Sequence, residues 1–324
     1  GTREEYCMKS WNEIGRPKRF QDIVGQEAFT KDALNWKAND SYPDSLLFVG
    51  QSGVGKTTAA RVIALQMLGR AMDCDFYECN ASDERGIEFI RVFLKQAAQT
   101  SPYMADRKVI LLDEADGLTP AAQDALRQIV ENSTENCLFI FTANDESKIR
   151  PAIKSRCVVY KFKAVDSEAG AEHLTNVCQK CGVPKAVLDV WKDYFPRLVT
   201  YMGGDLRSAV GVLESLHMHD KHALKDRVSD FSGPSQAALS ALTDEWMDMR
   251  VQFHKAVSNG RDRFFVMRSF YQNLSSLFNM DDDEKVWTVL SVYGDMMIHI
   301  YEWPDSDQAF LDYFVARLRK EVKQ

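Results

Sequence analysis

A lysine, a threonine and three glycines are spaced for holding phosphate in Gly50-Gln51-Ser52-Gly53-Val54-Gly55-Lys56-Thr57. Every required position of G-x-x-x-x-G-K-T is filled. Glycines let backbone N–H groups curl around phosphate oxygens, and a helix starting there adds its partial positive charge. Lys56 can reach the β- and γ-phosphates, and the Thr57 hydroxyl can ligate Mg²⁺. The competing reading is a glycine-rich turn with a chance lysine. The flanks argue against it: the apolar run Ser45-Leu46-Leu47-Phe48-Val49 precedes, and Thr58-Ala59-Ala60-Arg61-Val62-Ile63-Ala64-Leu65 follows. That order is strand, glycine-rich turn, helix.

A second set of residues could do the chemistry that such a loop positions. Asp113 and Glu114 end the apolar run Val109-Ile110-Leu111-Leu112, 57 residues after Lys56. A carboxylate at the tip of a buried strand beside a phosphate loop can hold Mg²⁺, and its neighbour can act as general base on a water attacking the γ-phosphorus. An acidic pair after a strand could also be a solvated turn; its place at the end of a second apolar strand favours the chemical role. Asn144 follows Phe139-Ile140-Phe141-Thr142-Ala143, where it could hydrogen-bond the γ-phosphate or the attacking water. Asn after a strand is more often a turn residue, so the two motifs before it carry that assignment. Arg156, in Ser155-Arg156-Cys157, reads as a surface charge or as a finger projecting into a neighbouring subunit's ATP. Arg207, after Gly204-Asp205-Leu206, could reach a γ-phosphate from a lid, so that lid closure would follow nucleotide state.

The elements that must position these groups alternate. A helix is expected over 27–36, a short strand over 75–78 and a helix over 87–100. A strand over 109–112, a helix over 120–132 and a strand over 137–142 follow. Strands alternating with helices imply right-handed crossovers in a parallel α/β sheet. Pro17 and Gly25 predict an extended, turning segment over 8–26. From about residue 163 the pattern is helical only, with helices over 167–181, 185–199 and 206–217. Residues 230–324 continue it, broken near Ser232-Gly233-Pro234, Asn259-Gly260, Asp281-Asp282-Asp283 and Trp303-Pro304. The stripe Phe264, Phe265, Met267, Phe270, Tyr271 and Leu274 reads as core or subunit contact.

At 324 residues the chain exceeds one ordinary core. The 45% apolar and 27% charged shares are those of a globular protein, and no stretch approaches the length of a membrane span. The opening residues Gly1-Thr2-Arg3-Glu4-Glu5 carry no secretory core, and seven scattered cysteines point to reduced thiols in a cytosol-like compartment. That compartment would be the cytoplasm of a prokaryote or virus-infected cell, or a eukaryotic nucleus. Cys178-Gln179-Lys180-Cys181 is one CxxC, and zinc would need a second pair. The net charge of −7 argues against a surface broadly coated with nucleic acid, while leaving room for a local basic stripe.

Over residues 11–215 the order of motifs resembles the small ATPase subunit of a sliding-clamp loader, the replication factor C type of AAA+ protein. The resemblance rests on Arg16-Pro17-Lys18 with Val24-Gly25-Gln26, the phosphate loop, Asn80-Ala81-Ser82-Asp83-Glu84-Arg85-Gly86, Asp113-Glu114-Ala115-Asp116, Asn144, Ser155-Arg156-Cys157 and Gly204-Asp205-Leu206-Arg207. The run from Asn80 and the Ser155 triplet discriminate, because generic AAA+ ATPases lack them. The resemblance implies that Arg16, Pro17, Val24 and Gly25 lie around the adenine. The nucleotide would also be held by Gly50, Gln51, Ser52, Gly53, Val54, Gly55, Lys56, Thr57 and Thr58. Thr57 and Asp113 would hold Mg²⁺, Glu114 with Lys56 would form the ATPase centre, Asn144 would be the first sensor and Arg207 the second. Arg156 would be the finger acting on the adjacent subunit. Arg85, Arg91 and Lys95 would hold DNA phosphates, the alternative being a solvated helix face, and Gln123 with Arg127 would couple that side to the ATP site. Two positions depart from the family: Gly15 stands where an aromatic is usual, and Gln128 where a second basic residue is common.

The implied architecture is an α/β P-loop AAA+ ATPase domain (1–162), a helical lid (163–228) and an all-α C-terminal collar (229–324). The implied function is ATP-driven loading of a sliding clamp onto primer–template DNA, independent of sequence, within a ring of five loader subunits and away from any membrane. The alternatives are an AAA+ DNA motor such as a Holliday-junction branch-migration ATPase, a non-hydrolysing scaffold subunit, and a solitary P-loop kinase.

Overall fold

The structure is a computed structural model describing residues 10–81, 88, 90–133, 135–231, 237–238, 240–241, 243, 245–258, 260–277, 284–300, 303 and 306–322. The chain divides into two compact units, Gly1–Asp220 and Lys221–Gln324.

The first unit is built on five parallel strands, β1 (Ser45–Val49), β2 (Phe76–Asn80), β3 (Lys108–Asp113), β4 (Cys137–Ala143) and β5 (Val158–Lys161), in the order β2-β3-β4-β1-β5. The central strands are apolar without interruption because both faces are covered, as parallel sheets require. Alternate residues feed two cores: Leu47, Ile110, Leu112, Phe139 and Phe141 line one, and Leu46, Phe48, Val109, Leu111, Leu138 and Ile140 the other. Each such large side chain contributes about 1.5–3 kcal/mol by leaving water. Two helices, α2 (Glu27–Asn39) and α3 (Lys56–Leu68), cover the second face through Phe29, Ala33, Ala59, Ala60 and Ile63. The four-residue α4 (Met72–Asp75) precedes β2, and a π-helical turn Ile90–Leu94 running into α5 (Lys95–Gln99) lies between β2 and β3. The first face is covered by α6 (Pro120–Asn132), whose Ala122, Leu126, Ile129 and Val130 follow helical spacing. Thr119 caps α6 by accepting from the Ala122 N–H, and Pro120 stands in its first turn.

Three local expectations are corrected. Residues 11–15 are a short helix, α1 (Trp11–Gly15), not an extended segment: the Ser10 hydroxyl accepts from the Glu13 N–H at its start. Pro17 acts as a stop beyond it rather than as a bar to it. The strand β5 has no counterpart among the sequence expectations, although the apolar run Cys157-Val158-Val159-Tyr160 feeds it; it is an edge strand of four residues whose ends are exposed. After the four-residue α7 (Pro151–Lys154) and α8 (Ser167–Lys180), the single helix expected over 185–199 is two. They are α9 (Lys185–Trp191) and α10 (Phe195–Tyr201), separated by a 3₁₀ turn, Lys192–Tyr194. Pro196 has no N–H to donate and its ring clashes with the carbonyl of Lys192, so the helix restarts there. The unit closes with α11 (Leu206–Glu214), capped by the Asp205 carboxylate, which accepts from the Ser208 N–H at 3.0 Å.

The second unit consists, among the described residues, of helices only: α12 (Ala223–Phe231), α13 (Trp246–Ser258), α14 (Arg263–Leu277), α15 (Glu284–Ile298) and α16 (Asp307–Glu321). Met267, Phe270 and Leu274 are buried with Phe253, Phe310 and Phe314, whereas Tyr271 is exposed. The Phe270 ring packs edge-on to Phe253 at 5.7 Å and to Phe314 at 5.4 Å. Arg250 and His254, one turn apart on α13, both donate to Asp312 of α16 at 2.7 Å. The expected breaks at Ser232-Gly233-Pro234, Asn259, Asp281-Asp282-Asp283 and Pro304 lie outside the described residues. Among the described residues no helix is long and apolar enough to cross a membrane.

Candidate active site

The tips of β1, β3 and β4 converge on the N-terminus of α3. There the phosphate loop turns through Gly53 and Gly55, with φ of 75° and 99°. Both values lie in the left-handed region where only glycine is free of strain. A Cβ at Gly53 would also run into the Asp205 carboxylate, so the loop and the start of α11 approach at bare-backbone distance. The turn leaves the N–H groups at the head of α3 directed at one point, the cradle a phosphate needs.

Lys56 is 7% exposed. Its ammonium donates to the carbonyls of Gly50 (2.6 Å) and Gln51 (2.7 Å) and to Asn144 Oδ1 (2.9 Å). Burial lowers its pKa, opposed by the charges of Asp113 and Asp116. The Thr57 hydroxyl donates to Asp113 Oδ1 and Oδ2 at 2.9 and 3.0 Å. A hydroxyl and a carboxylate that share one hydrogen bond are a hard-oxygen pair, the donor set that Mg²⁺ takes, so the residues fit that ion.

Glu114 holds φ of 56°, one of two non-glycine residues with positive φ among those described. That strained backbone turns the chain away from β3 at the site. Thr142 of β4 fixes it from both sides: its hydroxyl accepts from the Glu114 N–H at 2.9 Å and donates to Asp113 Oδ1 at 2.5 Å. Asp116 Oδ2 accepts from the N–H groups of Asn144 (3.2 Å) and Asp145 (3.1 Å), which sets the backbone from which Asn144 reaches Lys56.

One pocket collects most of the residues singled out in the sequence. Arg16, Pro17, Val24, Ser52, Gly53, Val54, Gly55, Lys56, Thr57, Thr58, Asp113, Glu114, Asn144 and Arg207 all line it. Gly25, Gly50 and Gln51 do not. Gly25 is a turn with φ of 72°, Gly50 backs onto the Phe162 carbonyl, and Gln51 offers its carbonyl to Lys56. Arg156 lies elsewhere: its guanidinium pairs with the Glu131 carboxylate and donates to the Ala152 carbonyl at 2.6 Å. Lys95 is exposed on α5. Arg85 and the side chain of Arg91 lie outside the described residues.

Several residues that shape the site are not among those the sequence assigns to holding nucleotide. Gln26 is buried; its amide donates to the carbonyls of Val54 (3.4 Å) and Lys163 (2.8 Å) and accepts from the Lys163 N–H, tying the phosphate loop to the segment after β5. Thr142 is a hydroxyl inside an apolar strand, the one hint available. Trp11 and Asn12 of α1, and His173 and Val177 of α8, also line the pocket. Gln123, buried at the start of α6, donates to the Lys148 carbonyl and accepts from the Arg150 N–H, bracing the segment that leads to Arg156.

Comparisons with known proteins give the family and the fold. Residues 46–163 match the ATPase family associated with various cellular activities (AAA). The chain is 38% identical over 296 residues to the replication factor C small subunit of Methanococcus vannielii, covering 88% of this chain and 91% of that one. It is 32% identical over 288 residues to the subunit of the same name from Methanocella arvoryzae, covering 86% and 87%. In fold it is similar to the Thermotoga maritima RuvB Holliday junction branch migration motor, with a TM-score of 0.52 and 14% identity over 95% of this chain and 90% of that one. The chain is an AAA ATPase that binds nucleotide, and it belongs to the replication factor C small-subunit family.

Proposed function

We propose that this chain uses ATP to open a ring-shaped sliding clamp and place it on primer–template DNA, acting with other loader subunits in a five-membered ring. The observation that carries the reading is the pairing of a complete hydrolytic set with an arginine outside it. Lys56, Thr57, Asp113, Glu114 and Asn144 share one pocket, while Arg156 stands at the end of α7, away from that pocket's wall. A site lacking its own finger is completed by a neighbour, and hydrolysis then depends on assembly.

Within the pocket, Lys56 exchanges its carbonyl partners and Asn144 for phosphate oxygens of ATP, which frees the Asn144 amide to orient the attacking water. Glu114 takes the proton of that water as general base. Thr57 and Asp113 would hold Mg²⁺, which would supply positive charge to neutralise the phosphates. Arg207, at the start of α11, supplies positive charge from the lid. Arg85, Arg91 and Lys95 track DNA phosphates, so DNA sequence matters little. The lid spans 163–228 and the collar 229–324.

The likeness to a branch-migration motor concerns fold alone, and helices are the only regular elements among the described residues of the second unit. The test is ATP turnover by the assembled loader with and without clamp and primed DNA. Stimulation by clamp and DNA together, abolished by Glu114→Gln, is expected. Turnover unaffected by the clamp would overturn the reading.

A further inference from the structure

The wall of the nucleotide pocket away from the phosphate loop is apolar where α1 meets α8. Two features set it. Gly15 has no side chain, and an ideal Cβ there would lie 2.5 Å from Val177 Cγ2. The absent side chain therefore lets α8 seat against α1, with Val177 filling the notch. His173 lies one turn before Val177 on α8, so the two share a helix face, and both line the pocket.

The polar neighbours at that end are already engaged. The Arg16 guanidinium donates to Glu13 at 2.6 Å, and the Asn12 amide donates to the Arg207 carbonyl at 3.4 Å. The His173 ring makes no hydrogen bond among the described residues. Burial, with Lys180 adding to it, pushes its pKa down to about 4, so near pH 7 the ring is uncharged and carries one N–H and one bare nitrogen. A half-buried imidazole without a protein partner, on the wall where a purine would lie, has its hydrogen-bonding capacity left for the base.

We propose that His173 is a specificity-determining residue, its bare ring nitrogen accepting a hydrogen bond from the 6-amino group of adenine. The proposal rests on the pocket being the nucleotide site and is independent of what hydrolysis drives. Neither ring nitrogen has a protein partner that fixes the tautomer, so an oxo group would simply receive the N–H instead; a base with hydrogen at position 6 leaves the ring unpaired, and that is the base the site discriminates against.

The test is competition binding of ATP and purine riboside triphosphate to the full chain, read by displacement of a fluorescent ADP analogue. Purine riboside triphosphate keeps the sugar and phosphates and carries hydrogen in place of the 6-amino group. The unaltered chain is expected to prefer ATP. His173→Ala is expected to lose about tenfold in ATP affinity while the 6-hydrogen analogue stays within about twofold. His173→Gln, whose amide oxygen also accepts, is expected to keep most of the preference and guards against a folding defect. Equal binding of ATP and the analogue by the unaltered chain, or parallel weakening of both in His173→Ala, would overturn the proposal. Failure of the fluorescent ADP to bind the unaltered chain would overturn it together with the nucleotide-site reading.

Discussion

At the scale of residues, the site works by fixing acidic groups through neutral ones. Asp113 receives hydroxyls from Thr57 and Thr142, and Asp116 receives two backbone N–H groups, one of them from Asn144. Asp116 thus holds the strand end that aims Asn144 at Lys56 and acts as a positioning residue. Asp116→Ala is expected to lower kcat about tenfold with little change in KM, because the backbone loses its anchor and the amide its aim. Asp116→Asn, whose amide oxygen still accepts, is expected to recover most of the rate; steady-state ATPase kinetics separate the two. Lys56, Thr57, Asp113 and Glu114 were legible in the sequence because their chemistry demands fixed spacing. Thr142 and His173 were not, and Gln26 showed only as the end of Val24-Gly25-Gln26 with no role of its own, because each is an ordinary residue whose contacts exist only once β4, α8 or the phosphate loop has been brought to it.

At the scale of elements, the sheet was legible wherever burial on both faces leaves an unbroken apolar run, as in β1, β3 and β4. The edge strand β5 carries such a run too, Cys157-Val158-Val159-Tyr160, but its first residue belongs to the Ser155-Arg156-Cys157 triplet and its ends are exposed, so it did not stand out as a strand. The helix restart at Pro196 was written in the sequence but masked by apolar residues that keep helical spacing across it. Asp75 shows how a connection is held between elements. Its carboxylate lies near the surface yet is fully shielded from solvent, and it accepts from the N–H groups of Tyr103 (2.6 Å), Met104 (2.7 Å) and Ala105 (2.8 Å). Burial works to raise its pKa, but the three donors and the Lys108 charge prevail, and the folded value lies below that of the unfolded chain. Stabilisation of that sign is complete above the unfolded value of about 4 and is lost as pH falls through the folded value. Asp75→Asn is therefore expected to cost about 2 kcal/mol at pH 7, with the difference shrinking below about pH 4. Urea denaturation at the two pH values measures it; a difference that grows with acidity would contradict the account.

At the scale of the whole molecule, the proposed function makes the phosphate loop half of a catalytic unit. The sequence carried this in one triplet, Ser155-Arg156-Cys157, whose meaning depends on a surface that no single chain displays. In the isolated chain Arg156 is paired with Glu131, so its charge is held in place by α6 until a neighbour's nucleotide competes for it. Head-to-tail rings place one copy's finger against the next copy's phosphates, and this makes a mixing experiment decisive. Glu114→Gln chains retain the finger and lack the base; Arg156→Ala chains retain the base and lack the finger. Each alone is expected to show almost no stimulated turnover. Co-assembled at random in equal amounts, about one interface in four joins an intact Glu114 to an intact Arg156, so about a quarter of the unaltered rate should return. A finger acting within its own chain would leave every site of the mixture defective, and the rate would stay at the level of the single variants. Recovery on mixing can arise only if the pocket built around Lys56 is completed from the next subunit.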